Sequence, residues 1–158
     1  MGTMVDRQPS SGRVVQPPAF FLGALLLGVV LHFALPLWTL LALPWRLLGV
    51  LPIAAGAALN LQADAALKKQ RTTVKSHMLS SVLIKDGVFG LSRNPMYLGM
   101  LLILAGEALC LGSLGPWLAP LALLPVLVYR YIKPEEEMLL DTFGDEYRRY
   151  MARVRRWI

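Results

Sequence analysis

Ser92-Arg93-Asn94-Pro95-Met96-Tyr97-Leu98-Gly99 is the stretch on which the reading of this chain turns, because it joins two kinds of sequence. A basic, polar connection ends here, and an apolar run reaching Leu114 begins. A guanidinium, an amide and a phenol are therefore crowded at what reads as the edge of a membrane span.

The rest of the chain agrees with that reading. Of its 158 residues, 56% are hydrophobic and 16% charged, against roughly 45–50% and about 25% in soluble domains. The apolar residues come in blocks with no β-type alternation, so the expected fold is all-α and polytopic. About four transmembrane helices are expected, near residues 19–38, 45–66, 95–114 and 117–133. A C-terminal amphipathic helix pair over 134–156 follows them at the cytoplasmic surface. Residues 1–18, rich in Pro, Ser and Gly, read as a disordered tail, and 19–158 as one membrane domain.

Charge sets the expected orientation. Lys68, Lys69, Arg71, Lys75, Lys85 and Arg93 fill the connection between the second and third spans, against Asp86 alone. The positive-inside rule puts that connection and both termini in the cytoplasm of a cell membrane. The net charge of +6 lies beside apolar blocks, which favours contact with lipid headgroups over nucleic acid. Cys110 is the single cysteine, so no internal disulfide and no Cys/His metal site is expected.

Several polar residues fall within or beside the spans. His32 suits an interhelical hydrogen bond, and Glu107 is an intramembrane carboxylate. Asn60, Gln62 and Asp64 fit either a helix emerging into water or a polar site. Gly49 and Gly56 provide small surfaces for close helix approach. Gly87 and Gly90 permit tight turns. Near the C-terminus, Leu139, Phe143, Tyr147, Tyr150 and Val154 recur at helical spacing, broken by Gly144-Asp145, and Trp157 reads as an interfacial anchor.

Two groups exceed what membrane packing needs: Arg93 to Tyr97, and Glu135-Glu136-Glu137. The helical hairpin between them returns the second group to the first. Carboxylates and aromatic faces in one place suit a cationic ligand with vicinal hydroxyls. Helix capping by the glutamates and snorkelling by Arg93 account for the same residues without a ligand. There is no GxGxxG after a strand, P-loop, HExxH or GxSxG, so a nucleotide cofactor would need a helical, membrane-bounded pocket.

These motifs together resemble the isoprenylcysteine carboxyl methyltransferase and phospholipid methyltransferase superfamily of integral membrane enzymes. The resemblance runs from about Arg71 to the C-terminus. It rests on Thr72-Thr73-Val74, Leu83-Ile84-x-x-Gly87-Val88-Phe89 and Ser92-Arg93-Asn94-Pro95-x-Tyr97-x-Gly99. Glu135-Glu136-x-x-Leu139-x-x-x-Phe143-Gly144-x-x-Tyr147-x-x-Tyr150 and the terminal Arg153-Val154-x-Arg156-Trp157-Ile158 complete it.

The resemblance implies an enzyme, a methyltransferase using S-adenosyl-L-methionine, in contact with the lipid bilayer. Its cofactor contacts would be Ser81, Val82, Leu83, Ile84, Phe89, Asn94, Pro95, Met96, Tyr97 and Glu135, with Glu136 in support. It implies no metal and no nucleic acid, and leaves the oligomeric state open. The acceptor would be lipophilic or membrane-associated: a carboxylate, an amine or a thiol. Asn94 stands where prenylcysteine enzymes carry His, and Tyr131 where they carry a substrate-binding Arg, with Arg130 adjacent; both departures count against a prenylcysteine carboxylate. No catalytic base is assigned; Arg93, Tyr97 and Glu136 are the candidates. The alternatives are an NADPH-dependent membrane reductase of the sterol-reductase type, similar in the Arg-x-Pro-x-Tyr-x-Gly region, and a non-catalytic membrane scaffold.

Overall fold

The computed structural model describes residues 17–35, 38–73 and 82–158. Ser81, Pro36 and most of the expected tail lie outside the described residues. The described chain is all-α, with one isolated antiparallel bridge between Thr39 and Ser113. Helix α1 is Pro17–Ala34. A 3₁₀ turn, Trp45–Gly49, leads into α2, Val50–Thr73. A short α3, Val88–Leu91, precedes α4, Pro95–Leu111. A second 3₁₀ turn, Gly115–Trp117, opens α5, Leu118–Leu127. The last helices are α6, Lys133–Phe143, and α7, Asp145–Arg153.

Three helical stretches, Pro17–Ala34, Trp45–Lys69 and Gly115–Phe143, are long and apolar enough to cross a bilayer. Helix α4 is apolar but slightly shorter. Side chains such as Leu26, Leu51 and Leu121 are exposed on these helices, as lipid-facing positions of a membrane protein are. The buried cluster is small: Ala24, Leu104, Ala119, Leu123, Leu127 and Ile132, from α1, α4, α5 and the turn after it.

The most extensive packing joins α2 to α4. These helices run antiparallel, and glycines spaced seven residues apart on each make the seam, Gly49 and Gly56 against Gly106 and Gly99. A Cβ added to Gly106 would lie 2.5 Å from the Gly49 carbonyl and 2.6 Å from an Ile53 carbon. No side chain fits there, so the two backbones touch, as small-residue membrane interfaces require.

One boundary differs from the sequence expectation. Pro134 was expected to begin a separate surface helix, but the chain stays helical from Gly115 to Phe143. Proline removes one backbone bond and crowds the carbonyl four residues earlier, here that of Arg130. A π-helical segment, Val128–Ile132, sits at that point. Its wider turn relieves the clash without ending the helix. The glutamates are therefore carried rigidly on an extension of a membrane helix.

Candidate active site

The site forms at the end of the bundle where α2 ends and α4 begins. Gly87, at φ +62°, supplies the left-handed residue that starts α3. Ser92 is extended, and Ser92 to Asn94 are pinned by the C-terminal residues. Ser92, fully buried, donates through its hydroxyl to the Arg156 carbonyl at 3.1 Å and accepts from the Asn94 backbone N–H at 3.1 Å. The Asn94 side-chain amide donates to the same carbonyl at 3.2 Å, and the Arg93 backbone N–H donates to Arg155 at 3.0 Å. Residues 155 and 156 act as a strap across the boundary stretch.

Helix α7 fixes the strap. Gly144, at φ +51°, turns the chain back after α6, and the apolar face of α7 packs inward through Tyr147 and Tyr150. The Tyr150 hydroxyl donates to the Phe89 carbonyl at 2.6 Å. Burial pushes its pKa up to about 12, so it stays a donor at physiological pH. Burial also raises the Tyr147 phenol, with Glu136 adding to the effect and the neighbouring Arg93 opposing it. Trp157, half-buried, packs against the core cluster.

A two-lobed cavity lies behind this frame. One lobe, about 140 Å³, is lined by Val82, Leu83, Ile84, Leu139, Tyr147 and Tyr150. The other, about 260 Å³ and more apolar, is lined by Pro17, Pro18, Asn94, Pro95, Met96, Tyr97 and Met100. Leu67, Phe89, Arg93 and Glu135 line both. Together the lobes fall in the lower part of the ligand-pocket range, about 300–1,000 Å³.

The two central glutamates differ in their surroundings. Glu135 is exposed to the cavity, and its carboxylate accepts one long hydrogen bond, from the Tyr97 hydroxyl at 3.4 Å. Glu136 is buried in an ion cluster. Arg156 grips it with two bonds, Nε at 3.1 Å and Nη2 at 2.6 Å, and Arg93 Nη1 approaches to 3.2 Å. That carboxylate keeps the Arg156 guanidinium pKa raised. Further out, Lys85 and Glu146 pair at 2.5 Å on the exposed rim, which lowers the Glu146 pKa.

The geometry thus brings together Val82, Leu83, Ile84, Phe89, Asn94 to Tyr97 and Glu135 on one cavity, as the sequence reading grouped them. Glu136 stands apart, holding the strap. The sequence reading did not single out Leu67, Met100, Leu139, Tyr147 or Tyr150 as lining residues. The helical spacing of the last three did mark one apolar face, which turns towards the cavity. Glu107 faces Gly28 on α1, and His32 bonds Ser113 at 2.7 Å, both remote from the cavity. No cluster of three or more potential metal ligands occurs among the described residues.

Fold and cavity define a polytopic helical membrane protein with a polar-edged pocket at one end of its bundle. A sequence profile of the phospholipid methyltransferase family matches residues 44–146, most of the chain, and this protein belongs to that family. The match begins before Arg71, where the motif resemblance starts, and stops within α7, before the strap. A Haemophilus influenzae protein described as uncharacterized is 46% identical over 63 residues, which are 40% of this chain and 100% of the relative. No solved structure matches the chain.

Proposed function

We propose that this protein transfers a methyl group from S-adenosyl-L-methionine to a lipophilic acceptor at the cytoplasmic face of a membrane. The observation that carries the reading is Glu135. Its carboxylate opens onto both lobes of the cavity and, among the described residues, accepts one long bond, from Tyr97. An acceptor-only group in that position suits a ligand's ammonium or paired hydroxyls. The aromatic face of Phe89 and the aliphatic wall of Val82, Leu83 and Ile84 suit a purine.

The two lobes divide the work. The narrower one, bounded by the polar frame of α7, fits the water-soluble donor. The more apolar one takes the donor's methyl-bearing end beside Asn94 to Tyr97 and, where it reaches Pro17 and Met100, suits an acceptor dissolved in lipid. When bound, the sulfonium supplies an activated methyl that leaves as the carbon–sulfur electron pair returns to sulfur. The chain contributes alignment and exclusion of water. Tyr97 positions Glu135, and the strap holds Asn94 and Pro95 against the cavity. An amine acceptor must also lose a proton, for which the Glu135 carboxylate on the cavity wall is the candidate base.

The test is incubation of purified protein with radiolabelled S-adenosyl-L-methionine and total membrane extract, followed by fractionation. Label in lipid or in a membrane-associated thiol or amine supports the reading and names the acceptor. Tight NADPH binding without S-adenosyl-L-methionine binding would replace it with a reductase.

A further inference from the structure

Arg93 is the group that neither the fold nor the proposed reaction explains so far. Its side chain is only 12% exposed, yet Nε and Nη1 are buried without a hydrogen-bond acceptor among the described residues. A snorkelling arginine would reach water or headgroups; this one points into the protein. Glu136 lies 3.2 Å from Nη1, but off the hydrogen-bonding direction. Arg156 already holds that carboxylate in the parallel two-bond arrangement. Two guanidiniums thus share one carboxylate, and one positive charge is left over. Glu135, on the same cavity, forms no ion pair with Arg93 among the described residues.

The Tyr147 hydroxyl meets the Arg93 guanidinium, but buried N–H groups left without an acceptor are costly to a fold. They persist where a ligand completes them. Arg93 lines both lobes of the cavity, and a guanidinium is the side chain best matched to a planar or tetrahedral oxyanion. The geometry assigns Arg93 as the anion subsite of this cavity, where it receives a carboxylate or phosphate oxygen of a bound ligand. The assignment rests on the methyl-transfer reading, which offers two such oxygens: the donor's carboxylate and the phosphate of a phospholipid acceptor.

Removing the Arg93 side chain leaves Glu136 and Arg156 matched one to one, so the fold is expected to tolerate Arg93→Gln. The test measures, for the full chain in detergent, the affinities of wild type, Arg93→Gln and Arg93→Lys for three probes. These are S-adenosyl-L-methionine, its decarboxylated form and a short-chain phosphatidylethanolamine. Melting temperatures without ligand are recorded alongside.

If Arg93 holds the donor carboxylate, wild type binds the decarboxylated donor about tenfold to a hundredfold more weakly. Arg93→Gln then binds both donors equally and weakly. If it holds the phosphate, Arg93→Gln keeps donor affinity and loses phospholipid affinity by the same factor. In either case the Lys variant recovers part of the loss, and the melting temperature of the Gln variant stays at or above wild type. Wild-type affinity of Arg93→Gln for every probe overturns the assignment. So does a large drop in its melting temperature with all affinities lost, which marks a structural role. Wild type that binds neither donor overturns the methyl-transfer reading itself, and the phospholipid arm alone then decides Arg93.

Discussion

The α2–α4 seam and the strap around Ser92 to Asn94 are both close contacts, built from opposite chemistry. In the seam, glycines let two membrane helices meet backbone to backbone, and shape is the main specification. In the strap, hydroxyl, amide and guanidinium groups fix three short segments through directed bonds. The seam is specified mainly by shape, although the Asn60 side-chain oxygen, packed against Gly99, is buried there without a hydrogen-bond partner among the described residues. The polar frame is satisfied almost everywhere, and its exceptions, Arg93 and the loosely held Glu135, both face the cavity. The difference separates a contact made by shape from a frame of directed bonds whose loosest members face the cavity.

The largest effect should come from the seam. Gly106→Val places carbons where the Gly49 carbonyl and Ile53 already lie. Both obstacles sit on a packed helix, so the loss should reach or exceed the ~3 kcal/mol upper end for overpacking. The yield of folded, monodisperse protein in detergent should collapse. Recovery of a normally folded variant would show that the seam is looser than described.

Next in size is Glu135→Gln, which tests the other side of the comparison. The substitution removes a charge whose bond among the described residues is one long contact with Tyr97. Donor affinity should fall tenfold or more, in line with ~1.5–3 kcal/mol for a charged hydrogen bond. The melting temperature should stay near wild type. Isothermal titration and a thermal scan of the same preparation separate the two readouts.

The sequence made the seam partly visible and the strap hardly at all. Gly49 and Gly56 stood out because glycine is conspicuous in an apolar helix, and their partners Gly99 and Gly106 repeat the spacing. The grouping of Arg93 to Tyr97 with Glu135 followed from counting helices in a hairpin, which depends only on topology. The strap depends on carbonyl groups of Arg155 and Arg156, and a backbone acceptor leaves no mark in a sequence. For the same reason Asn94 read as a pure ligand contact, although its amide also bonds the strap. Glu135 and Glu136 are chemically identical neighbours. Only the direction each takes from α6 makes one a cavity wall and the other a structural ion. Tyr147 and Tyr150 fitted a membrane-facing surface by spacing, because periodicity marks an apolar face without saying what covers it.

A smaller effect is expected from Tyr150→Phe. The variant keeps the ring that fills the space beside Tyr147 and removes the hydroxyl that reaches Phe89. One neutral hydrogen bond contributes about 1 kcal/mol, so chemical denaturation should show a modest loss of stability. Because Phe89 lines both lobes, donor affinity should also weaken a few-fold. A variant with wild-type affinity would mean that α3 holds its place without the frame.

The smallest effect belongs to Lys85→Met, and it marks the outer limit of the polar frame. Lys85 and Glu146 join the segment before α3 to α7, as the strap does, but on the exposed rim. The lysine lowers the Glu146 pKa, so any stabilisation is present above the ordinary glutamate range. It fades as the pH falls through the lowered value, where the carboxylate takes up its proton. Water screens an exposed pair strongly. Melting curves of wild type and Lys85→Met should therefore nearly coincide at neutral pH and moderate salt. At low salt a slight separation should open, and it should close again on acidification. Donor affinity should not change, because neither partner lines the two lobes. A substantial loss of stability or affinity would extend the directed frame to the rim, and burial would no longer separate the bonds that hold the site from those that only decorate it.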